Sequence, residues 1–270
     1  RSVVSHLVRQ ACQDNRRPYF ALLPENCGAA IISERWLVTA GHCIEFLRSN
    51  LVWVGGDSIR TSKLYTIDDA IIHPGFSLRP VVINDIALVH LSKPLTFSDT
   101  VQPIKLPGMK HQLNTVHTFY GMGRDQTGIS TEYLMTMKVR TLDMESCLSY
   151  MPDGFFYEPY LELMDEVTVC TKRTLDSDLP GVCQGDSGSP LVRNKTLVGI
   201  ASYISDKCAV AKVAMFANVA TYVEWIQSIT GVGVPATTTV APSTAAEDHE
   251  DYEDDELIMH RKFPARNRNA

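Results

Sequence analysis

Between Pro18 and about residue 200 the chain repeats one pattern: a short apolar run, then Gly, Pro, Asn or Asp. The runs are Tyr19–Leu23, Ala29–Ile32, Trp36–Thr39, Leu51–Val54, Tyr65–Ile67, Ile86–Leu91, Thr115–Phe119, Leu134–Val139, Pro190–Val192 and Leu197–Ile200. Ser33-Glu34-Arg35 divides two of them as a turn. Many short strands separated by turn residues predict an all-β fold, a sandwich or a barrel. Only near the end does the period change. Val219, Val223, Ile226 and Ile229 recur at three- and four-residue spacing and give one apolar helix face.

The flanks differ from this body. Residues 1–17 are polar and irregular, an N-terminal segment without a predicted element. After Gly231 the pattern stops. Residues 235–246 are Pro, Ala, Thr, Val and Ser; residues 247–256 hold eight carboxylates, and 261–268 hold four bases. Such a stretch buries too little apolar surface to offset its ordering entropy, so 232–270 is expected to be a disordered tail. Its Thr/Ser/Pro part suits O-glycosylation. The organisation is then 1–17, a domain over 18–231, and the tail.

Composition narrows the function. The chain has 270 residues, 44% of them apolar, enough for a sizeable core. A net charge of −6 lacks the basic footprint of a nucleic-acid binder. No apolar run is long enough to cross a bilayer, so a membrane is not an expected partner either. The chain opens at Arg1 without a signal-like apolar stretch, the pattern of a processed chain. Seven cysteines contain no Cys-x-x-Cys pair, which speaks against a zinc ribbon and for disulfides in an oxidising, extracellular compartment. No metal or cofactor is expected.

Chemistry concentrates in Cys183-Gln184-Gly185-Asp186-Ser187-Gly188-Ser189-Pro190. A serine on a tight glycine turn presents a free hydroxyl. An alcohol is a weak nucleophile and needs a base, plus a group that orients that base. It also needs donors for the oxyanion formed on attack, which the Gly185 and Ser187 N–H groups could supply. His42, within Leu37-Val38-Thr39-Ala40-Gly41-His42-Cys43, follows a strand and is flanked by a cysteine that could pin it. Asp85 opens the apolar run Ile86–Leu91 and would be partly buried, as suits an acid that holds an imidazole. Each of these residues alone is ordinary: a surface serine turn, a loop histidine, an aspartate at a strand start.

Together, in the order His42, Asp85, Ser187, they resemble the chymotrypsin-like serine proteases. The resemblance rests on Thr39–Cys43, Asp85–Leu88, Gly185–Pro190, Gly121-Met122-Gly123 and Tyr222–Ile226, and covers roughly residues 18–230. It implies two six-stranded antiparallel β-barrels with a C-terminal helix, and the active site in the crevice between them. It also implies catalytic roles for His42, Asp85 and Ser187, and the disulfides Cys27–Cys43, Cys147–Cys170 and Cys183–Cys208. Cys12 is left over, as a buried thiol or for a disulfide partner elsewhere. The implied function is a secreted serine endopeptidase that cleaves protein or peptide substrates through an acyl-enzyme.

The same resemblance places Gly181 at the base of the substrate pocket, followed by Val182. It puts Ser202-Tyr203-Ile204 along the substrate strand and Ala214 on the far wall. That set implies an elastase-like pocket for small aliphatic side chains. One feature departs from the family. Its activating terminus, of the Ile-Val-Gly-Gly type, normally pairs with the acid before the nucleophile, here Asp186. Nothing of that type stands at the counted spacing near His6-Leu7-Val8-Arg9, and Arg1-Ser2-Val3-Val4 lies too far upstream. Either a longer loop delivers the amino group or Asp186 lacks it. A silent or zymogen-like homologue with a binding or regulatory role is the alternative. Two surface features complete the expectations. Asn194-Lys195-Thr196 is an N-glycosylation sequon. Tyr252, among carboxylates, suits sulfation and docking of the tail on a basic surface.

Overall fold

The apolar runs become the strands of two sheets. A computed structural model of the chain describes residues 10–11, 17–109, 112–124, 129–151, 158–174, 181–204, 212–233 and 259–263. After β1 (Gln10–Ala11), the first half holds β2 (Phe20–Leu22), β3 (Gly28–Ile31), β4 (Trp36–Thr39), helix α1 (Gly41–Glu45), β5 (Leu51–Val54), β6 (Lys63–Ile72) and β7 (Ala87–Leu91). The second half holds β8 (Val116–Gly121), β9 (Met135–Leu142), α2 (Met144–Leu148), α3 (Leu161–Val167), β10 (Thr168–Arg173), β11 (Pro190–Arg193), β12 (Thr196–Ile204), β13 (Val213–Asn218) and α4 (Val223–Thr230). A last strand, β14 (Met259–Lys262), follows.

Each half closes on itself. One sheet runs β14-β6-β5-β2-β3-β4-β7 and is sealed by β6 pairing with β7; the other runs β1-β9-β10-β13-β12-β11-β8, sealed by β8 with β9. Without β1 and β14, these are two six-stranded antiparallel barrels. Ten-residue β6 serves two neighbours in turn: Lys63–Thr66 lie along β5, and Ile67–Ile72 along β7. A register shift between Ile67 and Asp69 bends it at the changeover. The second barrel is filled by Phe119, Val139, Val169, Leu191 and Phe216. Val192, Leu197 and Ile200 join the core of the first barrel, so the apolar interior is continuous across the seam.

α4 realises the predicted helix face. Ile226 is fully buried, and Val223 and Ile229 pack against the same core. Gly231, at φ 71°, ends the helix and donates its N–H to Gln227 O. The His73 ring of the first barrel meets Tyr222 and Trp225 edge-on at 5.1 and 4.9 Å, tying the helix across the seam.

The structure departs from the sequence reading in three places. α1, α2 and α3 are helices where only one was expected; at five to seven residues they are too short to display a periodic face. β10 and β13 went unread. β10 buries the hydroxyl residues Thr168 and Thr171, and β13 is buried at all six positions without alternation. The third departure lies in the tail. Met259–Lys262 pairs with β6, so the expectation of disorder over 232–270 fails there. Backbone hydrogen bonding to a free sheet edge is blind to the acidic composition upstream. Residues 234–258, with the acidic stretch and Tyr252, and residues 264–270 lie outside the described residues, as does Cys12. Among the described residues no helix is long and apolar enough to cross a membrane.

Two expected disulfides are present: Cys27–Cys43 ties β3 to α1, and Cys147–Cys170 ties α2 to β10. Cys183 is also disulfide-bonded, while Cys208 lies outside the described residues.

The barrels meet backbone to backbone at Gly28, whose N–H donates to Ser187 O at 2.7 Å. A Cβ there would run into Ser189 Oγ and stand 2.8 Å from Ser189 Cα. Gly28→Ala is therefore expected to destabilise the fold by about 1–3 kcal/mol through overpacking. Chemical denaturation of the two proteins checks it; a midpoint equal to that of the unchanged chain would contradict the packing argument.

Candidate active site

The Ser187 turn is built by glycine. Gly185 and Gly188 take φ of 88° and 75°, the left-handed region in which a side chain is strained. Gly188 also lies flat on the first barrel. A Cβ there would strike Thr39 Oγ1 and Gly28 O and stand 3.3 Å from Ala40 N. Its own N–H donates to Ala201 O at 2.7 Å. Thr39 Oγ1 in turn donates to Gly28 O. The serine turn is thus fixed against Thr39 and Ala40, immediately before the helix that carries His42. Cys27–Cys43 closes the same knot from the other side.

Asp85 is 2% exposed and sits at the start of the run leading into β7. His42 Nδ1 lies 2.7 Å from Asp85 Oδ2, and the His42 backbone N–H donates to Asp85 Oδ1 at 2.9 Å. A carboxylate only accepts, so Nδ1 carries a proton, and in the neutral ring Nε2 keeps the lone pair. Ser202 Oγ, on β12 of the second barrel, donates to Asp85 Oδ2 at 2.5 Å. The preceding Asn84, at φ 49°, accepts from Tyr222 OH at 3.0 Å and donates to Gly75 O at 2.9 Å. The carboxylate is thereby held from both barrels and from the end of the chain's second half.

Electrostatics follow from these contacts. Burial opposes the ionised form of Asp85, but the hydrogen bonds and charge of His42, with the Ser202 hydroxyl, outweigh it and hold its pKa below 3.8. Burial likewise opposes protonation of His42, yet the Asp85 hydrogen bond and charge, helped by Glu45, raise its pKa above 6.5. Burial, and then the charges of Asp85 and Glu166, push the Tyr222 phenol far up, so it stays a neutral donor.

Asp186 is fully buried and receives two backbone N–H groups, from Gly123 and Cys183, each at 2.8 Å. It is therefore not without partners. Side chains at Gly121 or Gly123 would collide with this carboxylate, which accounts for both glycines. Residues 1–9, which hold both stretches weighed for an activating terminus, lie outside the described residues. Among the described residues the Gly185 and Ser187 N–H groups donate no hydrogen bond, and none joins Ser187 Oγ to His42 Nε2.

A cavity of about 370 Å³ opens beside Ser187, lined by Val182, Cys183, Gln184, Ala201, Ser202, Tyr203 and Ile204. No charged side chain lines it among the described residues. Ala214 lies on the neighbouring strand opposite Ile204, and Gly181 is buried with its face toward Arg173; neither lines the cavity. Asn194 stands exposed on the turn joining β11 to β12, at φ 50°. Donor atoms of Cys27, Cys43 and His42 lie within 4.8 Å of one another, but the two sulfurs are bonded together and offer no thiolate to a metal.

Three contributors escaped the sequence reading. Ser202 was expected only as pocket wall, and Tyr222 and Gly28 were not expected near the site at all. The Tyr222–Ile226 match carried a signal for the second, but not for its bond to Asn84.

Comparison with known proteins agrees with this geometry. The family described as Trypsin matches residues 8–226. The chain is 28% identical over 225 residues to a collagenase of Hypoderma lineatum, covering 82% of this chain and 79% of that protein. It is 30% identical over 214 residues to trypsin 5G1 of Aedes aegypti, 76% of each chain. Identity is 27% over 230 residues to a CLIP domain-containing serine protease, B4, of Anopheles gambiae; the match covers 75% of this chain but only 61% of that longer protein. Among solved structures, neuropsin, a serine protease of mouse brain, superposes with a TM-score of 0.70 at 25% identity, over 82% of this chain and 97% of its own.

The His42–Asp85 pair makes a titration prediction. Asp85, with a depressed pKa, contributes stability present above its unfolded value of 3.8 and lost as pH falls through its folded value. His42, with a raised pKa, contributes stability present below 6.5 and lost as pH rises through its folded value. NMR titration is expected to place His42 above 6.5, and Asp85→Asn to drop it below 6.5, because burial, the largest influence, is then opposed by Glu45 alone. An unchanged His42 titration in Asp85→Asn would refute this assignment.

Proposed function

Because the chain belongs to the trypsin family of serine proteases, we propose that it is a secreted serine endopeptidase in which His42, Asp85 and Ser187 are the catalytic residues. The observation that carries this reading is the His42 ring held by Asp85 through Nδ1, which leaves Nε2 to take a proton whenever the ring is neutral, beside a glycine-built turn that presents Ser187. Ser187 Oγ attacks the scissile carbonyl carbon while His42 Nε2 takes its proton. The oxyanion accepts from the Gly185 and Ser187 N–H groups. When the C–N bond breaks, His42 returns the proton to the leaving amine and an acyl ester remains on Ser187. Water repeats the sequence and releases the acid. Asp85 stays ionised throughout and stabilises the imidazolium.

The pocket reading is small and apolar. Val182 and Ile204 face the cavity next to Ser187. With Gly181 rather than an acid at the expected base, a buried Arg or Lys side chain would be left uncompensated. The preferred residue before the cleaved bond is therefore Ala or Val. Secretion and an N-glycan on exposed Asn194 belong to the same reading, and the mass of secreted protein reports both. The acidic stretch 247–256, with Tyr252 sulfated, is assigned to docking on a basic protein surface; Cys12 is reserved for a partner thiol.

Ser187→Ala or His42→Ala is expected to cut peptide hydrolysis by about 10⁶-fold, as when a triad acts as one unit. A serine-directed fluorophosphonate should label the unchanged chain and not Ser187→Ala. Persisting turnover in clean Ser187→Ala protein would sink the catalytic assignment. Since His42 must be neutral to accept a proton, kcat/KM is expected to rise with pH through a midpoint above 6.5. A peptide library should be cut after Ala or Val; cleavage mainly after Arg or Lys would overturn the pocket reading alone.

A further inference from the structure

α1 carries His42 but has only five residues, far short of what holds a helix together in water. A helix leaves its last carbonyls without intrahelical donors, and in α1 those of Ile44 and Glu45 are among them. Ile44 O receives a weak turn bond from Leu47 N at 3.3 Å. Both carbonyls are reached by one side chain from the far end of the chain. Arg261 Nη1 lies 2.6 Å from Ile44 O and 3.1 Å from Glu45 O. A guanidinium at a helix C-terminus also meets the negative end of the helix dipole.

Arg261 does not reach there as a loose side chain. β14 pairs antiparallel with the second half of β6, Met259 opposite Ile72 through Lys262 opposite Asp69. Phe263 N donates to Asp68 O at 3.1 Å, and the Phe263 ring packs against the main core. The same ring stands 5.5 Å from the Arg261 guanidinium and fixes its direction. The arrangement is a strand laid on a barrel edge, anchored by an aromatic residue, with one arginine aimed at the end of the catalytic helix.

We infer that residues 259–263 are a clip and that Arg261 is a positioning residue, which holds α1 and through it His42. The inference rests on the reading of His42 as general base. Its first test does not. Hydrogen exchange of the Cys43–Leu47 amides reports the helix whether or not peptides are cleaved. Arg261→Ala, in the full chain, is expected to speed that exchange at least about ten-fold, since a charge-assisted hydrogen bond is lost. It is expected to lower kcat on a short peptide roughly ten-fold with KM unchanged, because a displaced base no longer lines up with the serine hydroxyl. Arg261→Lys should recover part of both, which a mere loss of folding would not allow; retained near-UV circular dichroism in each variant checks the fold directly.

Wild-type exchange in Arg261→Ala would overturn the clip. Faster exchange with kcat unchanged would overturn the positioning role. A wild-type chain that never turns over, yet shows faster exchange in Arg261→Ala, would uphold the clip and refute the endopeptidase reading instead.

Discussion

Everything in the site depends on how closely two backbones approach where the barrels touch. Gly28 on one side and Gly188 on the other carry no side chain, so Ser187 O can reach Gly28 N, and Thr39 Oγ1 can reach Gly28 O. That contact sets where the serine hydroxyl can be relative to the histidine two residues past Ala40. Sub-ångström changes at such a junction are large for proton transfer, which demands hydrogen-bond distance. The geometry of the candidate site is a property of the interface between two closed sheets, to which both contribute.

Two buried carboxylates at this interface are handled in opposite ways. Asp85 faces a titratable ring, His42, so its pairing strengthens when His42 is protonated. Asp186 is held by fixed dipoles, the Gly123 and Cys183 N–H groups. The first arrangement responds to a proton and the second supports a turn. Resemblance told the two aspartates apart in the sequence; their donors show how each is held.

What was legible in the chain was local. Ser187, His42 and Asp85 each sit in a short string whose neighbours fix its backbone, so resemblance could reach them. The strands with dense apolar runs, such as β3, β5 and β7, were equally readable because burial is written into consecutive positions. Long-range partnerships were not. Ser202 and Asp85 are 117 positions apart, and nothing near either announces the bond between them. β10 hides behind buried threonines, and β13 behind a run without period. β14 was concealed by composition: eight carboxylates upstream made the whole stretch look unfoldable, while four residues needed only an open edge to pair with.

Because β14 is paired to the first barrel, the acidic stretch is not a tail but a span fastened at both ends, at α4 and at β6. Its far attachment therefore exists by virtue of covalent continuity. While the span is intact, the clip faces its groove at the high effective concentration of a tethered segment. A single cut anywhere between Gly233 and Met259 would change the molecularity of that contact. The strand would then belong to a separate chain, held by its pairing with β6, the Phe263 contacts and the Arg261 hydrogen bonds, and free to leave on dilution. Severing a stretch remote in sequence from His42 would then strip the support from the helix that carries it, without removing one atom from the barrels.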